Sequence, residues 1–149
     1  MEIKEVKHNK KRYLELLLLA DEQEDMIDKY LERGTMFILE DDGVKAECVI
    51  TDEGDGVLEI KNIATVPECH RCGYGRKLIE YIENTYRTAY HTLRVGTGDS
   101  PLTKPFYQKC GFTEKNRIKN FFTDNYDHLI FEAGVQLVDM VYLEKPLNE

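Results

Sequence analysis

Seven consecutive residues, Cys69-His70-Arg71-Cys72-Gly73-Tyr74-Gly75, support two chemistries that pull in opposite directions. Two cysteines with a histidine between them make half of a zinc site, or a dithiol. Two glycines separated by one residue and leading into a helix make instead a loop whose free backbone N–H groups face an anion at the positive end of the helix dipole. Tetrahedral zinc takes four ligands, and no second Cys-x-x-Cys or His-x-x-x-His pair occurs in the chain, so no metal is expected. A dithiol at a helix N-terminus has its thiol pKa lowered by the dipole, which implies an incidental redox sensitivity. The anion loop gives both glycines a task, because without Cβ they let a diphosphate come close to the backbone and can take positive φ. The third glycine of a dinucleotide-binding Gly-x-Gly-x-x-Gly is missing and no Gly-Lys-Ser/Thr follows, so hydride and phosphoryl transfer fit poorly.

Such a loop needs a strand before it and a helix after it. Leu78, Ile79, Ile82 and Tyr86 recur at helical spacing in a helix that begins near Gly73, and His91 to Thr97 follows as a strand. A strand, glycine loop, helix and strand in succession predict a parallel pair joined by a right-handed crossover. Upstream, Glu2 to Val6 reads as a strand. Leu14, Leu17 and Leu18, then Met26, Ile27, Tyr30 and Leu31, predict two helices, the second closed by Gly34 as a left-handed cap. The segment Thr35 to Val66 reads as a three-stranded antiparallel meander broken at Asp42-Gly43 and at Gly54-Asp55-Gly56. A shorter helix is expected at Pro101 to Lys109, stopped by Cys110-Gly111, then strands near Phe112 to Asn120 and Val135 to Glu144. Between these strands lies a long connection of the kind that often carries function. The fold class is α/β: a mixed, mostly antiparallel seven-stranded sheet flanked by about four helices, in a single domain over residues 1–149.

The composition bounds the partners. A net charge of −8, from 28 acidic and 20 basic residues, disfavours nucleic acid and anionic membranes and suits a cationic partner. Acidic residues gather at Asp21 to Asp25 and recur at Asp124, Asp127 and Glu132, whereas Arg71, Arg76 and Lys77 gather at the glycine loop. The apolar run Leu14 to Ala20 is about a third of the ~20 residues that span a bilayer, so a soluble, cytoplasmic protein with reduced thiols is expected. Cys48 and Cys110 suit small buried positions, and His8, His91 and His128 read as surface or packing residues.

These residues together resemble the GNAT superfamily of acetyl-CoA-dependent N-acetyltransferases. His70-Arg71-Cys72-Gly73-Tyr74-Gly75, preceded by Thr65-Val66-Pro67-Glu68, is similar to the family's Gln/Arg-x-x-Gly-x-Gly/Ala signature, and Ser100 with Pro105 to Phe112 is similar to its second signature. The likeness covers nearly the whole chain and is nearest to small bacterial GNAT proteins of unassigned substrate, more loosely to ribosomal-protein N-terminal acetylases. It implies acetyl-CoA as cosubstrate and no metal. It also implies that the backbone of His70, Arg71, Cys72, Gly73, Tyr74 and Gly75 holds the CoA diphosphate, with Arg71 and Arg76 as added cations. The edge at Ile63, Ala64 and Thr65 pairs with the pantetheine arm, and Ser100 steadies that arm. Tyr107 matches the tyrosine that protonates the leaving thiolate, and Glu59 is the first candidate for the base, with Asn62 orienting a water.

His70 stands where the family has Gln or Arg, and Val95 stands where some N-terminal acetylases carry a glutamate. The implied reaction is direct transfer, in a ternary complex, to an amine on a cationic small molecule, such as a polyamine or aminosugar, or on a peptide. The alternative is a catalytically weak CoA-binding regulatory or interaction protein. Dimers are common in the family, and the resemblance allows a homodimer paired through the strands of Val135 to Glu144.

Overall fold

The computed structural model describes residues 1–148. Strands β1 (Glu2–Val6), β2 (Thr35–Glu40), β3 (Val44–Asp52), β4 (Val57–Thr65), β5 (Thr92–Gly98), β6 (Thr113–Ile118) and β9 (Met140–Pro146) form a seven-stranded sheet in the order β1-β2-β3-β4-β5-β9-β6. Only β4 and β5 run parallel. Strands β7 (Phe131–Glu132) and β8 (Val135–Gln136) form a separate hairpin. The turns that make the meander are those the glycines predict: Asp42 and Gly43 take φ of 58° and 98°, and Gly54, Asp55 and Gly56 take 84°, 53° and 78°.

Helix α3 (Tyr74–Tyr86) covers one face of the sheet, burying Leu78, Ile79 and Ile82 against Cys48, Ile50, Leu58, Ile60, Leu93 and Val95. Helix α4 (Thr103–Lys109) adds Tyr107 to this core. On the other face α1 (Leu14–Ala20) and α2 (Glu24–Ile27) bury Leu17 and Ile27 against Val6, Met36, Ile38 and Val49. The turns after α2 are held by the buried Lys10, whose ammonium donates to the carbonyls of Leu31 (2.9 Å), Glu32 (3.4 Å) and Gly34 (2.7 Å). No helix among the described residues is long and apolar enough to cross a membrane.

The structure departs from expectation in four places. The second helix ends at Ile27 and continues as turns to Gly34, which is not left-handed. Glycine is required there by close approach, since a Cβ would meet Val49 Cγ1 at 2.8 Å and the Tyr30 carbonyl at 2.9 Å. The long connection holds a fifth helix, α5 (Phe121–Asn125), and the β7–β8 hairpin, around a small apolar cluster of Phe122, Ile130 and Leu137. The strand expected over Val135 to Glu144 divides into β8 and β9 because Leu137 turns inward onto that cluster. β9 is paired on both sides, with β5 and with β6, so it offers no open edge for a homodimer; the sheet's edges are β1 and β6.

Candidate functional site

β4 and β5 pair only from Val57↔Thr92 to Ile60↔Val95. Beyond that point β4 stays with β3 and β5 stays with β9, and the two part. A bulge marks the place: Ile50 opposes Ile60 but Val49 opposes Asn62, which leaves Lys61 as the extra residue and bends β4 away. The parting leaves the β5-facing edge of Ile63, Ala64 and Thr65 without a strand. The cleft so opened has a volume of about 510 Å³.

One wall is the loop. Between Val66 and Tyr74 the chain turns through a short 3-10 segment (Pro67–Cys69), then Arg71 at φ 70° and Gly73 at φ 83°. Gly73 takes the N-cap position of α3 without a side-chain cap, and the Gly73, Tyr74, Gly75 and Arg76 N–H groups have no backbone acceptor among the described residues. Gly75 is set by space: a Cβ there would come within 3.3 Å of the Phe106 ring. His70 Nε2 donates to the Thr65 carbonyl (3.2 Å), and the Tyr74 hydroxyl donates to Asp41 (2.6 Å), fixing the loop to the end of β4 and to the β2–β3 turn. Cys69 is partly buried and Cys72 exposed; desolvation, then the neighbouring Cys72, pushes the Cys69 thiol up. Arg71 is exposed, and Arg76 is exposed beside Glu80.

Tyr107 lines the same cleft. It is 6% exposed, its ring packs edge-on to Phe106 and Phe112, and burial pushes its phenol far above the usual range. It therefore holds its proton at every working pH. Ser100 is not brought to the cleft: its buried hydroxyl donates to Glu132 (2.7 Å) and accepts from the Leu102 (3.1 Å) and Thr103 (3.4 Å) amides at the start of α4. Glu59 is not brought there either. It is 3% exposed, bound by Arg94 through Nε (2.7 Å) and Nη2 (2.6 Å) and by Lys61 (2.8 Å), and it opens onto a second cavity of about 230 Å³.

The opposite wall was legible only in part: the acidic recurrence and the long connection pointed to Glu132 and its surroundings, but no residue of the wall was singled out as a site residue. It consists of Asp21 and Glu22 after α1, and of Phe122, Tyr126, Glu132 and Leu137 from the long connection. Asp21 Oδ2 accepts from Tyr30 (2.9 Å) and Oδ1 from Tyr126 (2.6 Å), which ties the two segments together. Asn62 Nδ2 donates to the Leu17 carbonyl (3.0 Å) and to the Tyr30 hydroxyl (3.0 Å). Acidic clustering at Asp21 to Asp25 was the available signal, but nothing in it separates the inward Asp21 from its exposed neighbours.

A family model described as an acetyltransferase (GNAT) domain matches residues 32–114. The chain is 37% identical over 132 residues to the N-acetyltransferase YvbK of Bacillus subtilis, a protein described as uncharacterised, covering 87% of this chain and 85% of that one. A GNAT family acetyltransferase from Elizabethkingia anophelis, solved with acetyl-CoA bound, superposes with a TM-score of 0.90 at 31% identity over 97% of each chain. A Bacillus subtilis acetyltransferase in complex with CoA superposes with a TM-score of 0.86 at 34% identity, again over 97% of each.

Proposed function

The chain belongs to the GNAT family and is an acetyl-CoA-dependent acetyltransferase, and from that premise we propose that it moves the acetyl group to a primary amine by direct attack in a ternary complex. The observation that carries the reading is the parting of β4 from β5 beside an uncapped helix start. The residues fit the cosubstrate: the free β4 edge at Ile63 to Thr65 is an unfilled strand position, and the α3 amides with Gly73 and Gly75 are an anion cradle. Arg71 and Arg76 add positive charge at its rim.

Acetyl-CoA supplies an activated acyl group, and the chain supplies alignment and proton traffic. Amides of the β4 edge polarise the reacting carbonyl. Tyr107 gives its proton to the departing sulfur. A free thiol titrates near ~8.5 and a phenol near ~10, so this donation is uphill by roughly 2 kcal/mol before burial adds to it. Tyr107 thus assists departure rather than driving it. Glu59 is held by two cations and opens onto the second cavity, so it is not placed to take the acceptor's proton in the cleft. The acceptor wall carries Asp21, Glu22 and Glu132, which favours an acceptor that arrives as a cation, a small polyamine-like or aminosugar-like molecule or a peptide N-terminus.

Calorimetric titration with acetyl-CoA, followed by thiol release on adding a panel of primary amines and their neutral hydroxyl counterparts, tests the reading. Binding with amine-dependent release supports it. Binding without release on any amine favours a CoA-responsive regulatory protein, and turnover confined to neutral acceptors removes the charge component.

A further inference from the structure

Asp21, Glu22, Glu59 and Glu132 line the cleft or the second cavity, and Asp21 lines both. Glu59 has Arg94 and Lys61, and Glu132 accepts from Ser100. Neither Glu132 nor Asp21 makes an ion pair among the described residues; what separates Asp21, itself partly buried, is that both its oxygens are gripped by neutral phenols, one of which is bonded to Asn62. The direction of one of these bonds is fixed. Asn62 must present its Nδ2 to the Leu17 carbonyl, its second Nδ2 hydrogen then goes to the Tyr30 oxygen, and the single Tyr30 proton is left for Asp21. With this orientation Asn62 Oδ1, on a side chain 3% exposed that lines the cleft, has no donor. One hydrogen-bonded chain thus joins Asp21, a carboxylate without a counter-ion that lines both cavities, to Asn62, a residue of the cleft wall whose buried amide oxygen is unsatisfied. A primary ammonium supplies the missing charge and the missing donor together.

We propose that Asp21 receives the acceptor, first as the counter-ion of its ammonium and then as the base that removes one proton, with Asn62 Oδ1 taking a second N–H. This rests on the reading of the cleft as an amine acetyltransferase. The step balances within the pair: one N–H bond of R–NH₃⁺ breaks, an O–H bond forms on Asp21, and the nitrogen keeps the electron pair with which it attacks. Desolvation favours this exchange, since burial raises a carboxylate's pKa and lowers an ammonium's, drawing an ion pair toward a neutral one. Burial does push Asp21 up, against the opposing pull of the Tyr126 and Tyr30 hydroxyls. Tyr30 and Tyr126 are positioning residues.

The other charged groups and histidines lining the two cavities are Glu22, Lys29, Arg33, Glu59, Lys61, His70 and Glu132; Asp25 lies close to Asp21, and His128 is paired with Asp127 (2.6 Å) and Glu22 (3.5 Å). His128 is exposed and pushed up by Asp127, so its titration needs its own control.

The test compares wild type, Asp21→Asn, Glu59→Gln, Tyr126→Phe and His128→Gln in acetyl-CoA calorimetry, calorimetry of 1,4-diaminobutane and phenethylamine with CoA present, and thiol release from pH 5 to 9. The expected result is unchanged acetyl-CoA affinity in Asp21→Asn, amine binding weakened at least about tenfold, and kcat/KM reduced about 10²-fold or more. The acidic limb assigned to Asp21 disappears in Asp21→Asn. In Tyr126→Phe it moves to higher pH, because one donor to the carboxylate is gone. In Glu59→Gln and His128→Gln it stays. Wild-type turnover and pH profile in Asp21→Asn overturn the assignment and leave the acetyltransferase reading standing. So do acetyl-CoA binding without binding of either amine, and loss of the limb in Glu59→Gln or His128→Gln instead. Should Asp21→Asn fail to fold, an unmoved limb in Tyr126→Phe is the overturning result. Absence of acetyl-CoA binding in wild type sinks the underlying reading and this inference with it.

Discussion

The loop side of the cleft is built from backbone, and the connection side from side chains. On the loop side the strand edge of Ile63 to Thr65 and the α3 amides do the presenting, and the side chains of His70 and Tyr74 serve to hold the backbone in place. On the connection side Asp21, Tyr30, Asn62 and Tyr126 present functional groups, drawn from four separate elements and joined by hydrogen bonds that cross up to 105 positions of sequence. A surface made of backbone binds whatever carries a diphosphate and an amide-bearing arm. One made of side chains can be changed residue by residue without touching the sheet. The cosubstrate side is therefore fixed by the fold, and the acceptor side by choices a fold leaves open.

That contrast breaks most readily at Tyr107, the side chain that works on the backbone-built side. Tyr107→Phe keeps the ring against Phe106 and Phe112 and removes only the proton. The expected outcome is a fall in kcat of about 10²-fold with acetyl-CoA affinity unchanged, read by steady-state kinetics beside calorimetry. Because burial holds the phenol far above its usual range, the wild-type rate should show no alkaline limb from Tyr107 below about pH 10. A tenfold loss of acetyl-CoA affinity instead would make Tyr107 part of the binding surface and blur the division between the two sides.

A smaller effect is expected at Gly73, where the division can be sharpened. Its φ of 83° is strained for any residue with a Cβ, yet nothing lies within 4 Å of where that Cβ would stand. Gly73→Ala thus meets conformational strain without steric conflict, about 1–2 kcal/mol, or roughly tenfold in acetyl-CoA affinity. Amine binding should not change. Equal losses on both ligands would mean that the two walls move as one.

Sequence alone made the loop side legible because its determinants are local. Gly73, Gly75, the helical stripe of Leu78, Ile79 and Ile82, and the two signatures lie within one continuous stretch, and periodicity plus glycine chemistry specify them. The connection side depends on which residues of distant segments meet. Nothing local distinguishes Asp21 from Glu22, or announces that Tyr126 reaches back to it. The same limit explains Glu59 and Ser100: their types suit the site, but Arg94 and Lys61 engage the first and the start of α4 engages the second. Gly34 was read as a cap from its place after a helical stripe, whereas its reason, the approach of Val49, is tertiary.

Glu47 provides the control with the least expected effect on turnover. It sits on β3 opposite Ala64, two register positions from the pair Val49↔Asn62, between the two sides of the cleft and lining neither. It is wholly buried, neither carboxylate oxygen makes a full hydrogen bond among the described residues, and burial pushes its pKa well above the ordinary value, with only the nearby Ala64 amide pulling weakly the other way. An unfolded glutamate titrates near ~4.3. Above that pH and below the folded value the native state binds one proton more than the unfolded state, so stability falls as pH rises, at up to about 1.4 kcal/mol per unit. The stability conferred by keeping Glu47 neutral is complete below the unfolded pKa and is lost as pH climbs through the folded one. Glu47→Gln cannot ionise. Urea unfolding across pH 4 to 8 should find the variant increasingly more stable than wild type toward pH 8, with kcat/KM for both substrates unaltered. A catalytic loss in Glu47→Gln would mean that the hydrogen-bonded chain of Asp21, Tyr30 and Asn62 depends on the neighbouring strand, and that the acceptor wall reaches into the core rather than resting on it.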